Sequence, residues 1–260
     1  MKIGFCAASL SVDGDPMGLQ ALPFLKESGY DYAELTISNY TGLSEEDFRE
    51  ACRRVEDSGL PAETACWMFP GGLPLYGPME PVLDWIKRAC DRSARLGVEV
   101  LVFGSGRVRS CPEGMTHEQA FSHLTGLTSA MAPIARQHGV TIVMEPLNRA
   151  ETDMIRTVSD GARLVRAVNH PSVRLLADYY HFAREQDAFA PGDLPLLAHA
   201  HCAEPEKRGC PTVIDKPFAD FLTALRSGGY DVRLSLEPSA TDRDAAAAFP
   251  KLMKDFFAEH

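Results

Sequence analysis

Four stretches of this chain end in side chains able to grip a cation or move a proton. Glu145 follows the apolar run TIVM, Asp178 closes RLLAD, His199 and His201 alternate within AHAHC, and Glu237 follows RLSL. Such short, continuously apolar runs suit strands buried on both faces. If the run ends converge, three carboxylates and an imidazole share a small volume of low dielectric. Like charges there repel strongly unless a cation neutralises them. Taken singly, any of these carboxylates would be read as paired with an arginine; four in register favour a metal. Oxygen-rich ligands with one nitrogen suit Mn²⁺, Mg²⁺ or Co²⁺ better than the thiolate sites of structural zinc. One divalent ion is therefore expected, manganese foremost, with Zn²⁺ a further alternative. His199 and His201, two apart on a strand, share a face. One ligand suffices; His201 lies nearer the run's end, and His199 packs a layer below or supports it.

Those side chains need elements to position them, and the chain supplies a repeated step. Apolar runs recur at 3–7, 32–35, 62–66, 100–103, 141–144, 174–177, 198–202 and 233–236. Between them apolar residues fall at helical spacing, as in Phe48, Ala51, Cys52 and Val55, or Ala120, Leu124, Leu127, Met131 and Ile134. Ser44 to Asp47, Thr116 to Gln119 and Thr157 to Asp160 have the form of capping boxes that open helices. Gly29, Gly59, Gly97, Gly139 and Gly229 each follow a helical stripe and precede an apolar residue leading into the next run. That is the place for a left-handed residue closing a helix. Eight strand–helix steps in 260 residues predict an α/β chain folded as one (β/α)₈ TIM barrel domain over 1–260, a fold of about 250 residues. A doubly wound open sheet would begin with a glycine fingerprint after the first strand, and none is present. The sixth helix is expected to be short because Pro191, Gly192 and Pro195 interrupt it.

In a barrel, catalytic side chains emerge at the C-terminal strand ends. At those residues the sequence resembles the xylose-isomerase-like TIM-barrel superfamily of sugar phosphate isomerases and epimerases. The likeness covers essentially the whole chain, through MEPLNRAET at 144–152, ADYYH at 177–181, HAHCAEPEKRGCP at 199–211 and SLEP at 235–238. It is nearest the ketose 3-epimerase and hydroxypyruvate isomerase branch. The resemblance implies that Glu145, Asp178, His201 and Glu237 are the metal ligands, and that Glu145 and Glu237 double as the catalytic acid/base pair. It also places Glu151 and His181 at substrate-contacting positions. Ketose 3-epimerases carry an arginine six residues after the metal-binding histidine; here that position is Lys207, and a one-residue insertion would let Arg208 take the role.

A metal bound to a substrate's carbonyl and neighbouring hydroxyl acidifies the adjacent C–H as a Lewis acid, and a positioned carboxylate removes the proton. Return of the proton to the opposite face of the cis-enediolate gives epimerisation; return to the next carbon gives aldose–ketose isomerisation. Loss of a β-substituent gives dehydration or cleavage of an inosose or 3-oxo glycoside, and the residues do not separate these branches. Trp67, with Met68, Phe69 and Tyr76, would either cover a sugar's apolar face or simply pack the rim. Gly104 to Arg107 would bind an anion or form a plain turn. No glycine-rich phosphate cup follows the seventh or eighth run, so a non-phosphorylated sugar is preferred. Glu34, ending the second run, would touch substrate or pair with a neighbour. The arginines at 49–54 and 88–95 are expected on solvated helix faces.

The formal charge of −10 repels phosphate backbones and anionic membranes, which argues against nucleic acid as a partner and against the apurinic-site endonucleases that share this barrel. No apolar run is long enough to span a bilayer. The seven cysteines are odd in number and lack a C-x-x-C pair, the pattern of reduced thiols in a cytoplasmic protein. The expected partner is a small sugar or sugar derivative, with a homodimer or homotetramer by analogy. A non-catalytic relative is disfavoured because both Glu145 and Glu237 are retained.

Overall fold

The computed structural model describes residues 1–239 and 242–259. Eight parallel strands, β1 (Lys2–Cys6), β2 (Tyr32–Thr36), β3 (Ala62–Cys66), β4 (Val100–Phe103), β5 (Thr141–Met144), β6 (Val173–Asp178), β7 (Leu197–Cys202) and β8 (Arg233–Leu236), pair in sequence order and close as β8 meets β1. The expected (β/α)₈ barrel is thus the fold. Each apolar run became a strand within about a residue at either end. The capping boxes form at Thr116 and Thr157, and Ser44 caps its helix by accepting from the Asp47 N–H. All five predicted closing glycines have positive φ, a region where a Cβ would clash.

Two apolar layers follow from the period of a strand. The larger lies between sheet and helices and takes in Ile3, Phe5, Leu35, Leu101, Phe103, Ile142, Leu175 and Leu236 with the inner faces of helices such as Glu80–Leu96 and His117–Gln137. A smaller cluster of Cys6, Cys66, Val100, Val102, Val143 and Leu176 fills one side of the barrel interior. The rest of that interior is polar. Tyr32, wholly buried, reaches over Gly4 of β1 to share a hydrogen bond with Ser235 Oγ at 2.8 Å. Gly4 permits this, since a Cβ there would overlap the Tyr32 ring.

The sixth helix is short as expected, Tyr179–Glu185, and is followed only by a 3₁₀ turn at Leu194–Leu196. One expectation fails. Arg92 does not lie on a solvated face: it is buried, stacks over Phe48 and donates to the carbonyls of Tyr40 and Leu43. It ties the end of the helix Ile37–Gly42 to the helix carrying Arg92, a contact between distant segments that periodicity could not reveal.

Candidate active site

The strand ends bring Glu145, Asp178, His201 and Glu237 together. One ligand atom from each lies within 4.8 Å of the others, and all four residues are buried. His201 Nδ1 stands 3.4 Å from Glu145 Oε1 and 3.7 Å from Glu237 Oε2. Both Glu145 Oε1 and His201 Nδ1 are buried with no hydrogen-bond partner among the described residues. Orphaned acceptors at such depth are costly unless another group satisfies them. A divalent cation does so for both at once, and the donor set of three carboxylates and an imidazole fits one.

The electrostatics agree. Burial, reinforced by the charge of Glu145, pushes the Asp178 carboxyl up to about 7. Burial likewise raises Glu145. Burial also opposes charge on Glu237, but the Arg208 guanidinium and His201 outweigh it and hold that carboxyl at about 2. For His201, burial disfavours the cation, yet Glu34 and the carboxylates of Glu145 and Glu237 lift it well above the usual imidazole range. Protons are standing in where a metal would neutralise the cluster.

Glu34, expected either to touch substrate or to pair with a neighbour, does the second. It touches no cavity. Its Oε1 accepts from His201 Nε2 at 2.8 Å, while its Oε2 accepts from Thr64 Oγ1 at 2.8 Å and His199 Nε2 at 2.9 Å. The two histidines hold Glu34 ionised against burial, so it can only accept. When His201 is neutral, as a metal ligand must be, its proton therefore sits on Nε2 and its Nδ1 lone pair is aimed at the carboxylate cluster. His199, a layer below as expected, shares the same carboxylate. The position of Glu34 at a strand end was the signal; what it faces across the barrel was not in the sequence.

Asp178 also caps the helix that follows it, accepting from the Tyr180 N–H at 2.9 Å. His181 sits behind it, its Nε2 3.5 Å from Asp178 Oδ2. The His181 Nδ1 accepts from Asn148 N at 3.0 Å and Asn148 Nδ2 at 2.8 Å, and Asn148 Nδ2 also reaches Glu151 Oε1 at 3.4 Å. His181 is buried and lies outside the lining of the main cavity. Burial and the Arg208 charge depress its pKa. Asn148, inside the 144–152 segment but not singled out there, is the link joining His181 to Glu151.

Arg208 does enter the site. Its Nη2 donates to Glu237 Oε2 at 2.6 Å and its Nη1 to Glu151 Oε1 at 3.3 Å, with its guanidinium 4.6 Å from the centre of the Tyr180 ring. The turn that aims it is closed by Arg208 N donating to Glu204 O and Glu204 N to Gly209 O, and Arg208 takes a positive φ of 51°. Ser239 N then donates to Arg208 O, fastening the turn to the exit of β8. Lys207 remains exposed.

A cavity of about 550 Å³ opens above the cluster, walled by Trp67, Phe69, Gly104, Leu147, Glu151 and Arg208, with Glu145 and Glu237 in its lining. Trp67 is 57% exposed at its rim with φ of 51°, a strained conformation for so bulky a residue and common at functional sites. Of its expected companions, Phe69 lines the cavity; Met68 is fully buried, and Tyr76 is tied to Arg109 O, so both pack the rim. Gly104 is required by close approach, since a Cβ would overlap Glu145 Oε2. Ser105 and Gly106 lead into one short turn of helix, Gly106–Arg109, rather than an open anion cup.

A closed parallel barrel with this cluster at its C-terminal mouth defines a class, and comparison identifies it. The chain belongs to the xylose isomerase-like TIM barrel family, whose model matches residues 22–256. It is 25% identical over 244 residues to 3-dehydro-D-guloside 4-epimerase of Escherichia coli (strain K12), covering 89% of this chain and 90% of that protein. It is 30% identical over 115 residues to D-psicose 3-epimerase of Agrobacterium fabrum, spanning 42% of this chain and 39% of that one. Among solved structures, 3-keto-D-glucoside 4-epimerase from E. coli superposes with a TM-score of 0.77 at 21% identity over 99% of both chains. D-Psicose 3-epimerase with D-tagatose from Clostridium cellulolyticum superposes with a TM-score of 0.81 at 19% identity, over 100% of this chain and 99% of that one. Among the described residues no helix is long and apolar enough to cross a membrane.

Proposed function

We propose that this chain is a divalent-metal-dependent epimerase of a keto sugar, acting by proton transfer at the carbon next to the carbonyl in the manner of a ketose 3-epimerase. One observation carries the reading: two of the four converging ligands, Glu145 and Glu237, also line the cavity where a substrate would lie. Glu145, Asp178, His201 and Glu237 would hold the divalent ion, which would supply Lewis-acid polarisation of the substrate's carbonyl. Glu237, held ionised beside Arg208, takes the proton from the carbon. Glu145 and Glu237 form the acid/base pair, one taking the proton and the other returning a proton to the opposite face of the carbon. Arg208 and Glu151 hold substrate hydroxyls, while Trp67, Phe69 and Leu147 exclude water from one side. His181 orders Asn148 and Asp178 from behind.

A second reading, a keto sugar bearing a glycosidic substituent, is favoured by two facts. The E. coli 4-epimerase aligns along most of the chain. The cavity, about 550 Å³, is in the range that holds drug-sized ligands and exceeds what a lone hexose needs. The same proton transfer serves both readings.

The test is a panel of ketoses, inososes and 3-oxo glycosides incubated in deuterated water with Mn²⁺ and scored by deuterium incorporation. Wild type exchanges the hydrogen α to the carbonyl of at least one class, and Glu237→Gln, still folded, exchanges none. Full exchange in Glu237→Gln removes that residue from the reaction.

A further inference from the structure

Two thiols beside the active site have no part in this chemistry. Cys6 ends β1 and Cys66 ends β3, and their sulphurs lie 3.6 Å apart across the strand between them. Both are buried, yet Cys66 lines the main cavity and Cys6 a smaller adjoining one. Glu237 lines both cavities, and one of its oxygens lies within 4.8 Å of each sulphur.

We infer that Cys6, Cys66 and Glu237 form a second cation site, specific for a thiophilic divalent ion such as zinc or cadmium and sharing Glu237 with the first. The spacing suits it. Two thiolates on one tetrahedral zinc, each at about 2.3 Å, stand about 3.8 Å apart. A disulfide needs about 2.05 Å, well short of the 3.6 Å observed, and both cysteines are free. Two sulphurs and a carboxylate oxygen make three protein ligands, with a fourth position open to water from the cavity. Soft sulphur ligands separate this site chemically from the oxygen-rich set beside it. On binding, each thiol forms a sulphur–metal bond and releases its proton to solvent; nothing is oxidised or reduced. An ion held here draws on the Glu237 carboxylate and lowers its basicity, so thiophilic cations inhibit the proton transfer proposed above. That consequence rests on the proposed function; occupancy of the site does not.

The test therefore reads binding directly. The full chain, saturated with Mn²⁺, is titrated with Cd²⁺ and followed by the ultraviolet thiolate-to-cadmium charge-transfer band and by X-ray absorption at the cadmium edge. One equivalent of cadmium with two sulphur neighbours is expected in wild type. Cys6→Ala and Cys66→Ala each lose the two-sulphur signature, whereas Cys111→Ala and Cys210→Ala keep it. Fewer than two sulphurs around cadmium in wild type overturns the site without recourse to any variant. So does an unchanged spectrum in Cys6→Ala or Cys66→Ala.

Discussion

Replacing Glu34 by glutamine changes one atom and should cost metal affinity, although Glu34 touches neither cavity nor ion. The wild-type carboxylate accepts three hydrogen bonds: two on Oε2, from Thr64 and His199, and one on Oε1, from His201. A glutamine offers one acceptor arm and one donor arm. Its oxygen is best placed on the Thr64 and His199 side, where two donors wait. Its amide N–H then faces His201 Nε2, which can accept only by giving up its proton. His201 moves to the other tautomer and presents an N–H, not a lone pair, from Nδ1 to the carboxylates 3.4 Å and 3.7 Å away. Groups that orient a metal-binding histidine are typically worth about 10–100-fold in metal affinity, or about 1.4–2.7 kcal/mol. Isothermal titration with Mn²⁺ measures that loss, and the ¹⁵N shifts of His201 in the chain loaded with diamagnetic Mg²⁺ report the tautomer, which mere loss of packing would leave alone. A folded Glu34→Gln protein that binds Mn²⁺ as wild type does, with His201 still protonated on Nε2, refutes the reasoning.

Gly104→Ala should fold normally yet lose about 10²-fold in turnover, because the new methyl displaces the Glu145 carboxylate and misplacement of about 1 Å costs that much; unchanged kcat/KM would show that Glu145 has room to spare. Arg208→Lys should lower kcat/KM with the fold intact, since one ammonium cannot span Glu237 and Glu151 as the fork does; steady-state kinetics at fixed metal check this, and wild-type values count against it. The metal-free chain should lose stability as pH rises from about 7 to 8.5. Asp178, raised to about 7 in the fold, and His201, raised well above its usual value, both hold protons there that the unfolded chain has released. Stability that each contributes below its unfolded pKa is lost as pH climbs through its folded one, at up to about 1.4 kcal/mol per pH unit for each proton. His181 and His199, whose pKa values burial lowers, work the other way, since their unfolded forms shed protons near pH 6.5; they offset part of the fall at the low end of the window and none of it at the high end. Thermal melts should show a falling midpoint that saturating Mn²⁺ restores; a flat or rising profile contradicts the assignment.

The barrel could be read from the sequence because its signals are local. A buried parallel strand must be apolar throughout, a capping box spans four residues, and a closing glycine is set by its own φ. The convergence of Glu145, Asp178, His201 and Glu237 was legible for the same reason, since the (β/α)₈ fold converts four run ends into one place. What stayed hidden depends on the barrel's cross-section. Glu34 occupies a strand end like Glu145, but whether it faces substrate or the two histidines is decided by which side chain stands opposite. Asn148 mediates between His181 and Glu151 through a turn whose path no periodicity describes. Arginine side chains on a helix are expected in solvent, and only the carbonyls of Tyr40 and Leu43 explain the burial of Arg92. Arg208 rather than Lys207 enters the site because a positive φ and the Ser239 contact re-aim the turn.

The account rests on a single ion shared by Glu145, Asp178, His201 and Glu237, and anomalous scattering at the manganese edge from crystals grown with Mn²⁺ locates it. The predicted result is one peak within about 2.3 Å of an oxygen of each carboxylate and of His201 Nδ1. Manganese bound elsewhere on the chain, with those four side chains turned apart, would contradict it.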